Sequence, residues 1–301
     1  MNYLYYKGWI RFYLLLLLMA FSAAKTWAQL FDQNDLKLIS RQFAFTEGPA
    51  VNAAGDVYFT DQPNNKIWKY GTEGQLSLYM DNAGRSNGLY FDRKGNLLAC
   101  ADERNELWSI DKNKKVQILI TAVNGKKLNG PNDLWPDKNG GIYITDPYYQ
   151  RDYWIRQKPE MEGMKVYYLP PGKHQVVRIA AEDVLKPNGI VGTADGKYLY
   201  VADIGNNKTY RYTIGKNGVL SDQKLIINQG SDGITLDNQG NLYLTGKGVF
   251  IYNPQGGLIG HIEINEPWTA NVCFGGKNRT DLFITASKAI YTIPMKVAGV
   301  E

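Results

Sequence analysis

Short apolar runs, many with polar residues at alternate positions, recur along this chain, and long helix-period stretches are missing. The plainest set reads GDVYFTD (55–61), GNLLACAD (95–102), GGIYITD (140–146), GKYLYVAD (196–203), GNLYLTG (240–246) and TDLFITA (280–286). A second set follows: KIWKY (66–70), ELWSI (106–110), KVYYL (165–169), KTYRY (208–212), GVFIY (248–252) and AIYTI (289–293). Most blocks add another run, such as LSLYM (76–80) or VQILI (116–120). Each block opens with one more, beginning at Glu47, Asn87, Asn132, Asn188, Asp232 and Asn271. Runs of this length, rich in aromatic and β-branched residues and bounded by Gly, Asn and Asp, are strand and turn signals.

Four short strands in a block of about 45 residues, repeated six times, are the signature of β-propeller blades. The expected fold is all-β, a six-bladed β-propeller. The sixth block stops soon after its third strand, while an unassigned segment, DLKLISRQF (35–43), precedes the first. That N-terminal strand is expected to supply the missing outer edge and close the ring.

The spacing inside the blocks carries the functional signal. Eight residues beyond Glu47, Asn87, Asn132, Asn188 and Asp232 stand Gly55, Gly95, Gly140, Gly196 and Gly240; the sixth block has Arg279 instead. The six residues are therefore equivalent. They open the innermost strands, so their side chains converge on the central channel. Turn preference explains any one Asn or Asp. It explains the set poorly, because Ser, Gly or Pro would serve turns as well and Glu47 is no turn former. Two anions and four amides around one axis call for a cation. All-oxygen ligation favours a hard ion, Ca²⁺ above all, with Mg²⁺, Mn²⁺ or Zn²⁺ as alternatives. The two histidines, His174 and His261, lie off this register and read as ordinary surface or strand residues. Gly84-Arg85-Ser86-Asn87-Gly88 matches G-x-S-x-G, but a β-run follows Ser86 where a nucleophile elbow needs a helix.

The remaining features narrow the setting. Lys7 and Arg11 precede an apolar run from Phe12 to Ala24 with a small-residue exit at Ala28, the pattern of a secretory signal peptide over 1–28. Export to the periplasm or medium is expected, with 29–301 as one domain and no membrane attachment after cleavage. The net charge of +5 falls to +2 once Lys7, Arg11 and Lys25 are removed with that segment, and no basic run argues for nucleic acid. Cys100 and Cys273 each sit inside an apolar strand and read as buried free thiols.

Together TEGPAV (46–51), NGPNDLWPDKNGGIYITDP (129–147), KPNGIVGTADGKYLYVAD (186–203), DGITLDNQGNLYLTG (232–246) and NVCFGG (271–276) resemble the regucalcin/gluconolactonase family of calcium-dependent lactonase propellers. The resemblance covers nearly all of 29–301. It implies Glu47, Asn188 and Asp232 as metal ligands, with Asn132 touching metal or substrate. It also implies Asp232 as proton acceptor and donor, and a small sugar lactone as substrate. Asn87 and Asn271 receive no role from it and are expected to be structural or to lie behind the ligands.

Such parts suit lactone opening, which needs a polarised carbonyl and an activated water. Asp232 is the leading base. Asp146 and Asp203 end second strands on the same face and are the alternatives, as bases or substrate contacts; capping the next turn is their other reading. A long insert in the third block, 147–165, is expected to rise over the site. Tyr148, Tyr149, Tyr153 and Trp154 offer rings for a sugar, with Tyr148 the first of them, and Arg151 and Arg156 offer cations for hydroxyls or a carboxylate; packing on a neighbouring blade is the alternative. Two other functions stay open: a calcium-binding propeller presenting its rim to a glycan or protein without catalysis, and a phosphotriesterase-like hydrolase.

Overall fold

The eight-residue step has a local cause that is visible in four of the six hairpins. In the first, Asn52 Oδ1 accepts from the amides of Ala54 and Asp56, both at 3.0 Å, and Gly55 takes φ +97°. Asp92, Asp137 and Asp237 do the same with the amides two and four residues on. An Asx side chain thus sets the turn, and a glycine meets its left-handed residue without strain. Arg279 adopts φ +58° in the sixth hairpin, and its guanidinium bonds Asn52 O at 2.6 Å in the neighbouring blade.

The structure is a computed structural model that describes residues 30–300; the signal-peptide segment expected over 1–28 lies outside the described residues. Six four-stranded antiparallel sheets follow one another around an axis. The first blade comprises Thr46–Val51, Val57–Asp61, Lys66–Tyr70 and Leu76–Asp81. Ser86–Phe91 begins the second, Leu134–Pro136 the third, Pro187–Gly192 the fourth and Ile234–Leu236 the fifth. The sixth runs Thr269–Gly275, Asp281–Ala286, Ala289–Pro294, and its outer strand is Lys37–Ser40 from the N-terminal side. Lys37 pairs with Thr292 and Leu38 with Tyr291, so the ring closes with the N-terminal strand as expected.

Packing between blades is apolar and dense. Phe59, Ile144, Leu199 and Leu244 are fully buried, and Phe43, Phe59 and Phe283 interlock between the first and last blades. Each such side chain contributes about 1.5–3 kcal/mol by leaving water. Cys100 and Cys273 are buried free thiols inside these layers.

The innermost strands are irregular at one place. Their pairing slips between Glu47 and Ala50, Ser86 and Leu89, Pro187 and Ile190, and Thr269 and Asn271. In blades three and five regular pairing starts only after Asn132 and Asp232. A bulge bends the strand and re-aims a side chain. Here it falls beside the ring residue in four blades, and in the other two the regular ladder begins just after that residue. Close approach of neighbouring inner strands also requires glycine: a Cβ on Gly88 would lie 2.6 Å from Asn132 O, and one on Gly189 2.8 Å from Asp232 O.

Candidate functional site

Asp232 organises the ring. Its Oδ1 accepts from Asn188 Nδ2 at 2.7 Å and its Oδ2 from Trp268 Nε1 at 2.6 Å. Burial pushes its carboxyl up to about 6, with these two donors pulling the other way. Glu47 is 5% exposed and is raised well above the ordinary carboxylate range, first by burial and then by repulsion from Asp232. Asp133 adds a third negative charge acting on Glu47. Asn271 Nδ2 lies 3.4 Å from Asp133 Oδ2. Asn87 and Asn132 are buried, 3% and 6% exposed.

Asn188 is 1% exposed, and its Oδ1 is buried without a hydrogen-bond partner. A buried amide oxygen left unpaired costs about 1–3 kcal/mol. Its partners in the ring are carboxylates, which cannot donate when ionised. A cation would satisfy that oxygen and relieve the Glu47–Asp232 repulsion together. The donor set, carboxylate plus amide oxygen, fits a hard divalent ion. Among the described residues no three Asp, Glu, His or Cys side chains form a metal-binding cluster by themselves, so an ion here depends on the amides.

Asp146 and Asp203 have a different task from the one expected. Asp146 is fully buried, with Oδ2 on the amide of Asn129 and Oδ1 on that of Gly130, both at 2.9 Å. Asp203 accepts from the amides of Leu185 at 2.8 Å and Lys186 at 2.9 Å. Asp61, equivalent in the first blade, accepts from Ala44 and Phe45. Each caps the loop leading into its own ring residue. Asp146 and Asp203 are both 0% exposed with main-chain donors on both oxygens, whereas Asp232 is partly exposed, so Asp232 is the better placed of the three to meet water or substrate. Asp146 and Asp203 are caps, though of the loop before the blade and not of the turn that was expected; only Asp203 also accepts from the following turn, at Gly205 and Asn206.

The insert crosses the site through Tyr149. Its hydroxyl lies 3.0 Å from Asn188 Nδ2, and its ring has Lys186 Nζ 3.6 Å from the centroid and Arg151 5.7 Å away. Arg151 is close enough for its charge to favour the ionised forms of Glu47 and Asp232. Tyr148, expected foremost, turns instead onto Trp154, Arg156 and Gln150. Trp154 is 6% exposed and donates to Asp102 O at 2.9 Å, while Arg156 bonds Leu128 O at 2.9 Å and Asn129 O. Those side chains anchor the insert.

Ser86 is 1% exposed with its hydroxyl on Ala83 O, His261 stacks on Phe250, and His174 is exposed. None belongs to the ring. The sequence reading missed Trp268, Lys186 and Asp133. Asp133 and Lys186 both stood in quoted motifs, one residue after and two residues before a ring position, and were findable. Trp268 lies outside the eight-residue register and gave no signal.

Fold and ring together define a class: a six-bladed propeller with carboxylates and amides gathered at one mouth of its axis. The family model described as SMP-30/Gluconolactonase/LRE-like region matches residues 45–288, and the chain belongs to that family. A gluconolactonase of Zymomonas mobilis is 27% identical over 297 residues, covering 88% of this chain and 82% of that protein. A gluconolactonase structure from Xanthomonas campestris superposes with a TM-score of 0.80 at 26% identity, covering 86% of this chain and 89% of that one. The calcium-binding protein regucalcin of Agrobacterium tumefaciens shares the fold, with a TM-score of 0.72 at 18% identity over 87% of this chain and 94% of that one. The two gluconolactonases support lactone hydrolysis as the class of activity.

Proposed function

We propose that this protein hydrolyses a sugar lactone at the ring, using a divalent cation for which Ca²⁺ is the best match. The observation that carries the reading is Asn188 Oδ1, buried and unpaired beside Asp232 and Glu47. Glu47, Asn188 and Asp232, with Asn132, would hold the ion. When bound it supplies Lewis-acid polarisation of the lactone carbonyl and charge for the developing oxyanion.

The chain's own groups do the rest. Asp232 takes the proton of the attacking water as the new C–O bond forms. The ring C–O bond then breaks, the alkoxide receives a proton, and an open hydroxy acid leaves. Burial lifts this carboxyl to about 6, and a bound cation would lower it again. Trp268 and Asn188 fix its direction. Tyr149 lies over Asn188 and, with Lys186 and Arg151, forms the wall that a sugar ring would meet. The signal-peptide pattern at the N-terminus supports export. A panel of lactones, with aryl and phosphotriesters included, assayed with and without Ca²⁺, tests this; hydrolysis confined to the non-lactone esters, or none at all, overturns it.

A further inference from the structure

Four equivalent aspartates end the second strands of blades one to four, and one of them breaks the pattern. Asp61, Asp146 and Asp203 each take the two amides that lie three and two residues before their ring residue. Asp102 should do the same with Gly84 and Arg85. Instead the amide of Arg85 goes to Asn65 Oδ1 at 2.6 Å, a side chain of the first blade. Asp102 is 2% exposed, and its Oδ2 accepts from Arg151 Nε at 2.8 Å, Tyr153 Oη at 2.5 Å and Gln62 Nε2 at 3.2 Å. Its backbone carbonyl accepts from Trp154 Nε1. Gly130 leaves room for this arrangement, since a Cβ there would lie 2.9 Å from both Asp102 Oδ1 and the Trp154 ring.

The consequence reaches the ring through few bonds. Arg151 and Tyr153 flank the part of the insert that follows Tyr149, and Tyr149 is the residue that touches Asn188. Fixing Arg151 and Tyr153 on a buried carboxylate therefore sets where Tyr149 stands over the carboxylates. We infer that Asp102 is a positioning residue: released from capping its own loop, it anchors the blade-three insert over the ring and so sets the fit of the substrate. It touches neither water nor lactone, and the inference rests on the reading of the ring as a lactone site.

Asp102→Asn tests it, because the shape and one acceptor oxygen remain while the charge that holds Arg151 is lost. Two readouts on the full chain are needed, with Asp61→Asn as the equivalent capping variant. In Asp102→Asn, amide hydrogen exchange across 148–157 should quicken about tenfold, the worth of one charge-assisted bond. KM for a hexonolactone should rise about three- to tenfold on the same scale, with kcat close to wild type. Asp61→Asn should lower the midpoint and leave both the exchange of 148–157 and KM alone. The inference is overturned if Asp102→Asn leaves exchange and KM unchanged, or if it behaves like Asp61→Asn. If the wild type opens no lactone while the exchange result appears, the anchor stands and the lactonase reading fails.

Discussion

Asn188 donates its Nδ2 to Asp232 Oδ1 at 2.7 Å and keeps its own Oδ1 buried without a partner. This pairing holds the two residues, from adjacent blades, against each other at the axis. It leaves Asn188 Oδ1 for a cation, beside an Asp232 carboxylate whose other oxygen takes the Trp268 indole N–H, and Glu47 adds charge there.

Asp232 then has two tasks that a substitution can separate. Asp232→Asn keeps an oxygen and nearly the same shape but cannot take a proton. With the metal site shown to be full by direct titration, kcat is expected to fall about 10²- to 10⁴-fold, the usual worth of general-base catalysis. Near-native kcat in the metal-loaded variant would move the base to another carboxylate.

Glu47→Gln removes one charge from a site whose cation affinity depends on how many it has. Calcium affinity is expected to weaken by about tenfold or more, about 1.4 kcal/mol, with activity partly restored at high Ca²⁺. Calorimetric titration of wild type and variant gives the comparison; equal affinities would place the ion away from Glu47.

Asp146→Asn should separate stability from turnover. The amide offers one oxygen to two main-chain donors and turns an N–H₂ toward the other, which costs about 1–3 kcal/mol of folding stability. Denaturant unfolding should show that loss while kcat stays at its wild-type value. Loss of kcat with stability intact would return Asp146 to the list of bases.

Trp268→Phe removes the indole donor from Asp232 Oδ2 and keeps the aromatic bulk. A hydrogen bond to a charged group contributes about 1.5–3 kcal/mol, so kcat/KM at saturating Ca²⁺ should fall about 10- to 100-fold. An unchanged kcat/KM would mean that Asn188 alone orients the carboxylate.

The fold was legible because its cause is local and repeated. An Asx side chain and a left-handed glycine sit at fixed distance from Asn87 or Asn132, so the period could be counted, and with it the register of the ring. The inter-blade contacts were not countable. Asp61, Asp102, Asp146 and Asp203 look alike in sequence, yet three cap loops and the fourth holds Arg151 and Tyr153. Tyr148 and Tyr149 are adjacent and chemically identical, and only the path of the insert decides that Tyr149 meets Asn188. Trp268 approaches Asp232 from the next blade, at a distance of 36 residues that no pattern encodes.

The central claim, a lactone-opening ring that works through a divalent cation, is tested most directly by one assay. Acid release from δ-gluconolactone should be measured above the spontaneous rate in protein that is stripped with EGTA, then reloaded with Ca²⁺. The account expects the enzymatic rate to disappear on stripping and return on reloading. An enzymatic rate that persists in full in the stripped protein would contradict it.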